Sequence, residues 1–152
     1  MARTEISFYT QAPVEYVFDY IANPDNMSAW NSNFVENKGR LERPLAVGAS
    51  WTQVSKIGGR TVEFCRKIVE YERPHRIVWE MTGFGGRMLL TFELEAQGSG
   101  TKATYIADYT VPGSLLGRFA GKLGLENRAK RDTSRNIAKL KAILQKGIVT
   151  KC

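Results

Sequence analysis

Between residues 35 and 111 the chain alternates stretches rich in β-branched and aromatic residues with glycine turns, and the pattern stops at Pro112-Gly113. Nothing else in the sequence constrains the fold as strongly. The turns are Gly58-Gly59, Gly83-Phe84-Gly85-Gly86 and Gly98-Ser99-Gly100, with Arg73-Pro74-His75 as another. They separate strands expected at roughly 48–57, 60–72, 76–83, 87–97 and 101–111, after one near 35–42. Residues 3 to 10 alternate Ile6 and Phe8 with Glu5 and Ser7, the period of a half-buried strand. Strands joined by tight turns pair antiparallel, so a meander of about seven strands follows.

Two short helices are expected after the first strand. Pro13 suits the first helical position, and Val14, Val17, Phe18 and Ile21 make one apolar stripe. Pro24 bars Asn23 from continuing that helix, while Asn23 can cap a second one carrying Met27 and Trp30. The first helix is expected to seal one end of the sheet, and the turn between the two to swing Met27 and Trp30 towards the mouth of a pocket. After Pro112-Gly113, Ser114 can cap a long helix reaching about Lys146, since no proline interrupts it. Straight, it would span ~50 Å. Gly117, Gly121 and Gly124 weaken its first half by up to ~1 kcal/mol each, so packing must hold that half or it bends.

Several residues together carry a family resemblance. They are Ala12-Pro13 followed by Val17-Phe18, then Asn23-Pro24 and Trp30-Asn31, the strand Ile77-Val78-Trp79, Gly100-Thr101 opening the last strand, and the apolar closing helix. In that order the chain resembles the START-like superfamily, which includes polyketide cyclase/dehydrase-like, lipid-transfer and birch-pollen-allergen-like proteins. The resemblance covers nearly the whole chain and implies one α+β domain over residues 1 to 152. Its helix-grip fold is a curved antiparallel sheet wrapped around a long C-terminal helix, with two short helices after strand 1. It further implies a cavity between sheet and helix, gated by the short helices and hairpin loops. Carriers and catalysts share this fold, so fold alone does not settle activity. Ala12 departs from the pattern, being a poor cap where Ser or Asp would serve better.

Side-chain alternation reaches a pocket independently. One face collects Phe8, Trp51, Phe64, Ile68, Trp79, Met81, Met88, Leu90, Phe92, Leu94, Tyr105 and Tyr109, bulky for a sheet covered by one helix. An empty cavity of ~300 Å³, the low end for ligand sites, would cost on the order of 7 kcal/mol. Water fills it, an apolar ligand fills it, or the side chains collapse into an ordinary core. The long helix adds Leu116, Phe119 and Leu123 at one end and Ile137, Leu140 and Leu144 at the other, with Glu126, Lys130 and Thr133 or Ser134 between. Arg66 points to the same concave side by alternation with Phe64 and Ile68. A charge there must be paired, solvated or touching a ligand. Either a bulge or helix bend turns Arg66 and Lys130 outward, or they anchor a ligand's carboxylate, phosphate or phenolate, with Tyr105 or Tyr109 beside them. Trp30 completes the candidate lining.

Other chemistry finds little footing. His75 is the only histidine and sits in a turn, against a Ser-His-Asp triad or a histidine metal site. GFGGR at 83–87 lacks the Gly-Lys-Ser/Thr ending of a phosphate loop and reads as a hairpin or gating loop. Glu80 and Asp108 fall opposite the Trp79 and Tyr109 face. Cys65 and Cys152 are too few for a disulfide framework or a zinc cluster, and no cofactor or metal is called for. No apolar run approaches ~18 residues and MARTEISFYTQ has no signal-peptide core, so a cytoplasmic protein is expected.

The net charge of +7 is unevenly placed: residues 1–113 hold 12 Lys and Arg against 13 Asp and Glu, whereas residues 114–152 hold 10 against 2. That basic segment is a solvated helix face, or it meets anionic lipid, nucleic acid or an acidic partner. Nucleic acid is the disfavoured partner and an anionic membrane surface the favoured one. The leading functional expectation is binding or transport of a small hydrophobic molecule: a lipid, fatty acid, isoprenoid or polyketide. The alternative is cyclase/dehydratase-like acid–base catalysis in the same cavity, with Tyr105, Tyr109, Glu126 and Lys130 as candidates.

Overall fold

Residues 2–39, 44–57, 59–83, 86–110 and 123–149 are described by the computed structural model of the chain, with side chains of the final helix described over 131–145. Strand β1 (Ala2–Thr10) leads into α1 (Val14–Ala22), a 3₁₀ turn (Pro24–Asn26) and α2 (Met27–Trp30). The strands β2 (Phe34–Lys38), β3 (Ser50–Ile57), β4 (Arg60–Glu72), β5 (Arg76–Thr82), β6 (Arg87–Gln97) and β7 (Gly100–Thr110) follow, and α3 (Leu123–Val149) closes the chain. The seven strands form one antiparallel sheet in the order β1-β7-β6-β5-β4-β3-β2, curled into a half-barrel with α3 as the C-terminal helix.

The meander runs as the turns demand, and β1 docks on the far side of β7. Two register shifts, at Phe34/Glu36 and at Ile68/Glu70, add local bend and twist to the pleat. Gly100 explains how β1 and β7 approach so closely. A Cβ there would stand 2.5 Å from the Thr10 carbonyl oxygen and would also strike the Tyr9 hydroxyl. Only glycine fits beside that backbone.

The α1 stripe behaves as its period requires, burying Val14, Val17, Phe18 and Ile21. The helix start differs from expectation: Pro13 is the N-cap and Val14 the first helical residue. Ala12 therefore caps nothing; it is fully buried, and its carbonyl accepts a 2.8 Å hydrogen bond from Thr101 Oγ1. The Asn23 side chain accepts from Asp25 N at 3.1 Å, and the second helix begins as the 3₁₀ turn before α2.

The expected start of the long helix at Ser114, with Leu116, Gly117, Phe119 and Gly121, lies outside the described residues. Where its side chains are described, Ile137, Leu140 and Leu144 are buried. Polar contacts fix it at two heights. Gln145 Oε1 accepts from Thr10 Oγ1 at 2.8 Å and Gln11 N at 2.9 Å. Asn136 Oδ1 accepts from Ser32 N at 3.1 Å and Ser32 Oγ at 2.9 Å, tying α3 to the segment after α2. No helix among the described residues is long and apolar enough to cross a membrane.

Candidate functional site

The register sorts the concave face into rows. Leu94, Ala103 and Phe8 form the row nearest the start of α1; Ile77, Phe92, Tyr105 and Ile6 form the next; Trp79, Leu90 and Ala107 the third, with Ile68 beside Trp79. The fourth runs Trp51, Arg66, Met81, Met88, Tyr109 across five strands, and Gln53 stands opposite Phe64 beyond it.

The second row is the packed centre. Phe92, 1% exposed, meets Trp30 edge-on at 6.3 Å, Trp79 at 6.0 Å and Tyr105 at 5.0 Å between ring centroids. Met27 and Trp30, expected to swing towards the pocket mouth, pack into the buried core. Both are buried, because the ring of Trp30 closes down on Phe92 and α2 packs against α3. Phe8 is half-buried on the core's rim.

The fourth row differs chemically. Arg66 is buried at its centre, 3% exposed, and the bulge that could have turned it outward falls beyond it, after Ile68. Its Nη1 donates to Gln53 Oε1 at 2.8 Å and lies 3.7 Å from Met81 Sδ, and its guanidinium carbon is 4.5 Å from the Trp79 ring centre. Gln53 is itself held, since its Nε2 donates to Ser55 Oγ at 3.0 Å. No carboxylate among the described residues pairs with Arg66. Loss of water lowers this guanidinium to about 10, with Tyr105 acting in the opposite sense. Three buried polar atoms among the described residues lack partners: Arg66 Nε, Trp51 Nε1 and Asn37 Oδ1.

Tyr105 and Tyr109 are only half-covered, yet loss of water raises both phenols, Tyr105 strongly. Tyr109 adds to the rise at Tyr105 and the Arg66 charge opposes it, so Tyr105 is a neutral donor near a buried cation. Met88 is half-buried alongside. Trp51, Phe64, Trp79, Met81 and Leu90 are all buried.

Of the remaining candidates, Phe119 lies outside the described residues, as do the side chains of Leu123, Glu126 and Lys130. Thr133 is half-buried, and Ser134 faces outward. Gln53, Ser55 and Asn37 were missed as site residues, although alternation from Trp51 places Gln53 and Ser55 on the same face. Glu80 and Asp108 sit on the opposite face, Glu80 accepting from Arg87 at 2.6 Å and Asp108 lying 3.8 Å from Arg3. His75 is exposed in its turn, with Nδ1 3.4 Å from the Leu94 carbonyl. No cluster of three or more His, Cys, Asp or Glu among the described residues could hold a metal ion.

Residues 1–145 match the family described as polyketide cyclase/dehydrase and lipid transport. The chain belongs to that family. Solved structures repeat the fold at low identity. A protein from Thermus thermophilus is 14% identical, with a TM-score of 0.76 over 96% of this chain and 99% of that one. One from Chromobacterium violaceum is 18% identical, with a TM-score of 0.70 over 95% and 99%. The di-domain ARO/CYC StfQ from the steffimycin biosynthetic pathway is 11% identical, with a TM-score of 0.74; the match covers 96% of this chain and 51% of StfQ. No curated protein matches the chain in sequence.

Proposed function

We propose that the chain holds a small hydrophobic or amphipathic molecule, such as a lipid, fatty acid, isoprenoid or polyketide, between the concave face and α3. The carrying observation is Arg66, a buried guanidinium without a carboxylate partner among the described residues. Burying a lone cation costs several kcal/mol, and one neutral amide and one aromatic face offset only part of that. A ligand's polar end completes the balance, while Trp79, Leu90, Met81 and Met88 receive its apolar body. The family description, which names lipid transport, supports the reading. Mass spectrometry of gently purified protein should detect a copurifying or readily loaded ligand. A protein that accepts no hydrophobic probe would sink the proposal.

A second reading, acid–base catalysis on a polyketide-like substrate in the same space, draws on Tyr105. Its phenol keeps its proton near Arg66 and can donate a hydrogen bond to a developing oxyanion. Turnover should then be lost in Tyr105→Phe, Tyr109→Phe or Lys130→Ala with folding intact. An unchanged rate in all three rejects these assignments.

Ligand exchange at an anionic membrane surface fits the exposed basic stripe Arg131, Arg135 and Lys139 on α3, which has no ion pair among the described residues. Sedimentation with anionic liposomes should weaken as salt rises. Equal sedimentation with neutral liposomes would remove this docking surface.

A further inference from the structure

The unmet donors of the fourth row define the ligand's polar end more narrowly, if the pocket reading above holds. Trp51 and Arg66 are direct partners across β3 and β4, so both side chains leave the same face from neighbouring positions. Each is more than nine-tenths buried, at 6% and 3% exposure, and each carries one N–H with no acceptor among the described residues: Trp51 Nε1 and Arg66 Nε. Buried donors ordinarily find partners, so two adjacent exceptions call for a cause.

We infer that this pair of N–H groups binds the oxygens of a carboxylate-type anion at the end of an otherwise apolar ligand. Indole and guanidinium nitrogens donate only, so whatever meets them must accept. An ammonium head is therefore excluded. A hydroxyl could accept, but it leaves the guanidinium charge uncompensated, whereas a carboxylate supplies charge and several lone pairs together. The arrangement is set before the ligand arrives. Arg66 Nη1 is occupied by Gln53 at 2.8 Å, Gln53 is held by Ser55 at 3.0 Å, and the guanidinium rests on Trp79. The Arg66 fork therefore cannot swing freely to find its acceptor, and the acceptor must come to it. Tyr105 is not a rival anion, because burial keeps its phenol protonated.

Dodecanoic acid, dodecanol and dodecylamine, compared by displacement of one hydrophobic fluorophore at neutral pH, test this directly. The acid should bind about tenfold or more tighter than the alcohol, as a charge-assisted hydrogen bond predicts, and the amine most weakly. In Arg66→Met and Trp51→Phe the acid should lose most of its advantage over the alcohol, whose affinity should change far less than the acid's. Equal binding of acid and alcohol by the natural protein overturns the donor-pair assignment and leaves the pocket standing. Binding of none of the three overturns the pocket reading, and this inference with it. The comparison in the natural protein decides the matter even if a variant fails to fold.

Discussion

Arg66 lies against the ring of Trp79, its guanidinium carbon 4.5 Å from the ring centre, with both residues almost wholly removed from water. A buried cation held by an aromatic face and a neutral amide is a poor stabiliser. Replacing such a charge with an apolar side chain of similar volume is often neutral or stabilising. Arg66→Met should therefore leave stability unchanged or raise it by about 1 kcal/mol while reducing affinity for an acidic amphiphile. Urea unfolding and probe displacement on the same preparation check both halves. A large loss of stability would mean that Arg66 is a structural residue.

Alkaline titration separates Arg66 from its neighbour. Folded Arg66 loses its proton from about 10, well below the ordinary guanidinium range, so above that pH the unfolded chain binds more protons at this site. That contribution to stability rises with pH. Tyr105 acts in the opposite sense: its folded phenol keeps a proton that the unfolded phenol loses from about 10, so its contribution falls as pH rises. Burial shifts Tyr109 the same way. Unfolding midpoints measured in steps upward from pH 10 should decline more steeply in Arg66→Met than in the natural protein, and less steeply in Tyr105→Phe. Parallel slopes in all three proteins would contradict this assignment.

Strand alternation made most of the concave face legible, because a period of two leaves little freedom once a turn sets the register. Arg66 was legible for that reason, and so were Gln53 and Ser55, two and four residues after Trp51. Small polar side chains on a face of bulky ones give no signal of their own in the sequence. The destination of Trp30 was not legible, since α2 is one short turn and its approach to Phe92 depends on contacts between elements distant in sequence. Asn136 and Gln145 read as ordinary helix-surface residues, and only the docked partners Ser32 and Thr10 give them a role. Ser134 faces outward because the helix presents Asn136 and Ile137 to the protein instead.

Gly100→Ala should show how tightly β1 is sewn to β7. The methyl group would meet the Thr10 carbonyl oxygen at 2.5 Å, and backbone in a paired strand cannot step aside as a flexible side chain can. Overpacking of this kind costs about 1–3 kcal/mol. Denaturant unfolding should register that loss, and amide exchange in β1 should accelerate. Unchanged stability would mean that this strand pair relaxes freely.

Asn136→Ala tests the tether between α3 and the segment after α2. Two donors, Ser32 N and Ser32 Oγ, would lose their shared acceptor, for a loss of about 1–3 kcal/mol if water does not replace it. Asn136→Asp keeps an acceptor oxygen and should retain more of the stability. Equal destabilisation by both substitutions would place the effect in helix packing rather than in this hydrogen bond.

Phe92 distinguishes wall from core. It lies between Trp30, Trp79 and Tyr105, and at 1% exposure it has little free surface for a ligand. Phe92→Ala should cost about 3–5 kcal/mol, the range for emptying an aromatic site in a packed interior. Phe92→Leu should cost less and leave probe affinity nearly unchanged, because the ring is enclosed by Trp30, Trp79 and Tyr105. Met88 makes the contrasting case, half-buried in the row that holds Arg66. Met88→Ala should weaken binding of a long-chain probe with a smaller loss of stability than Phe92→Ala. Thermal unfolding and probe titration of both proteins make the comparison, and the reverse ranking would move the ligand's apolar body from the fourth row to the second.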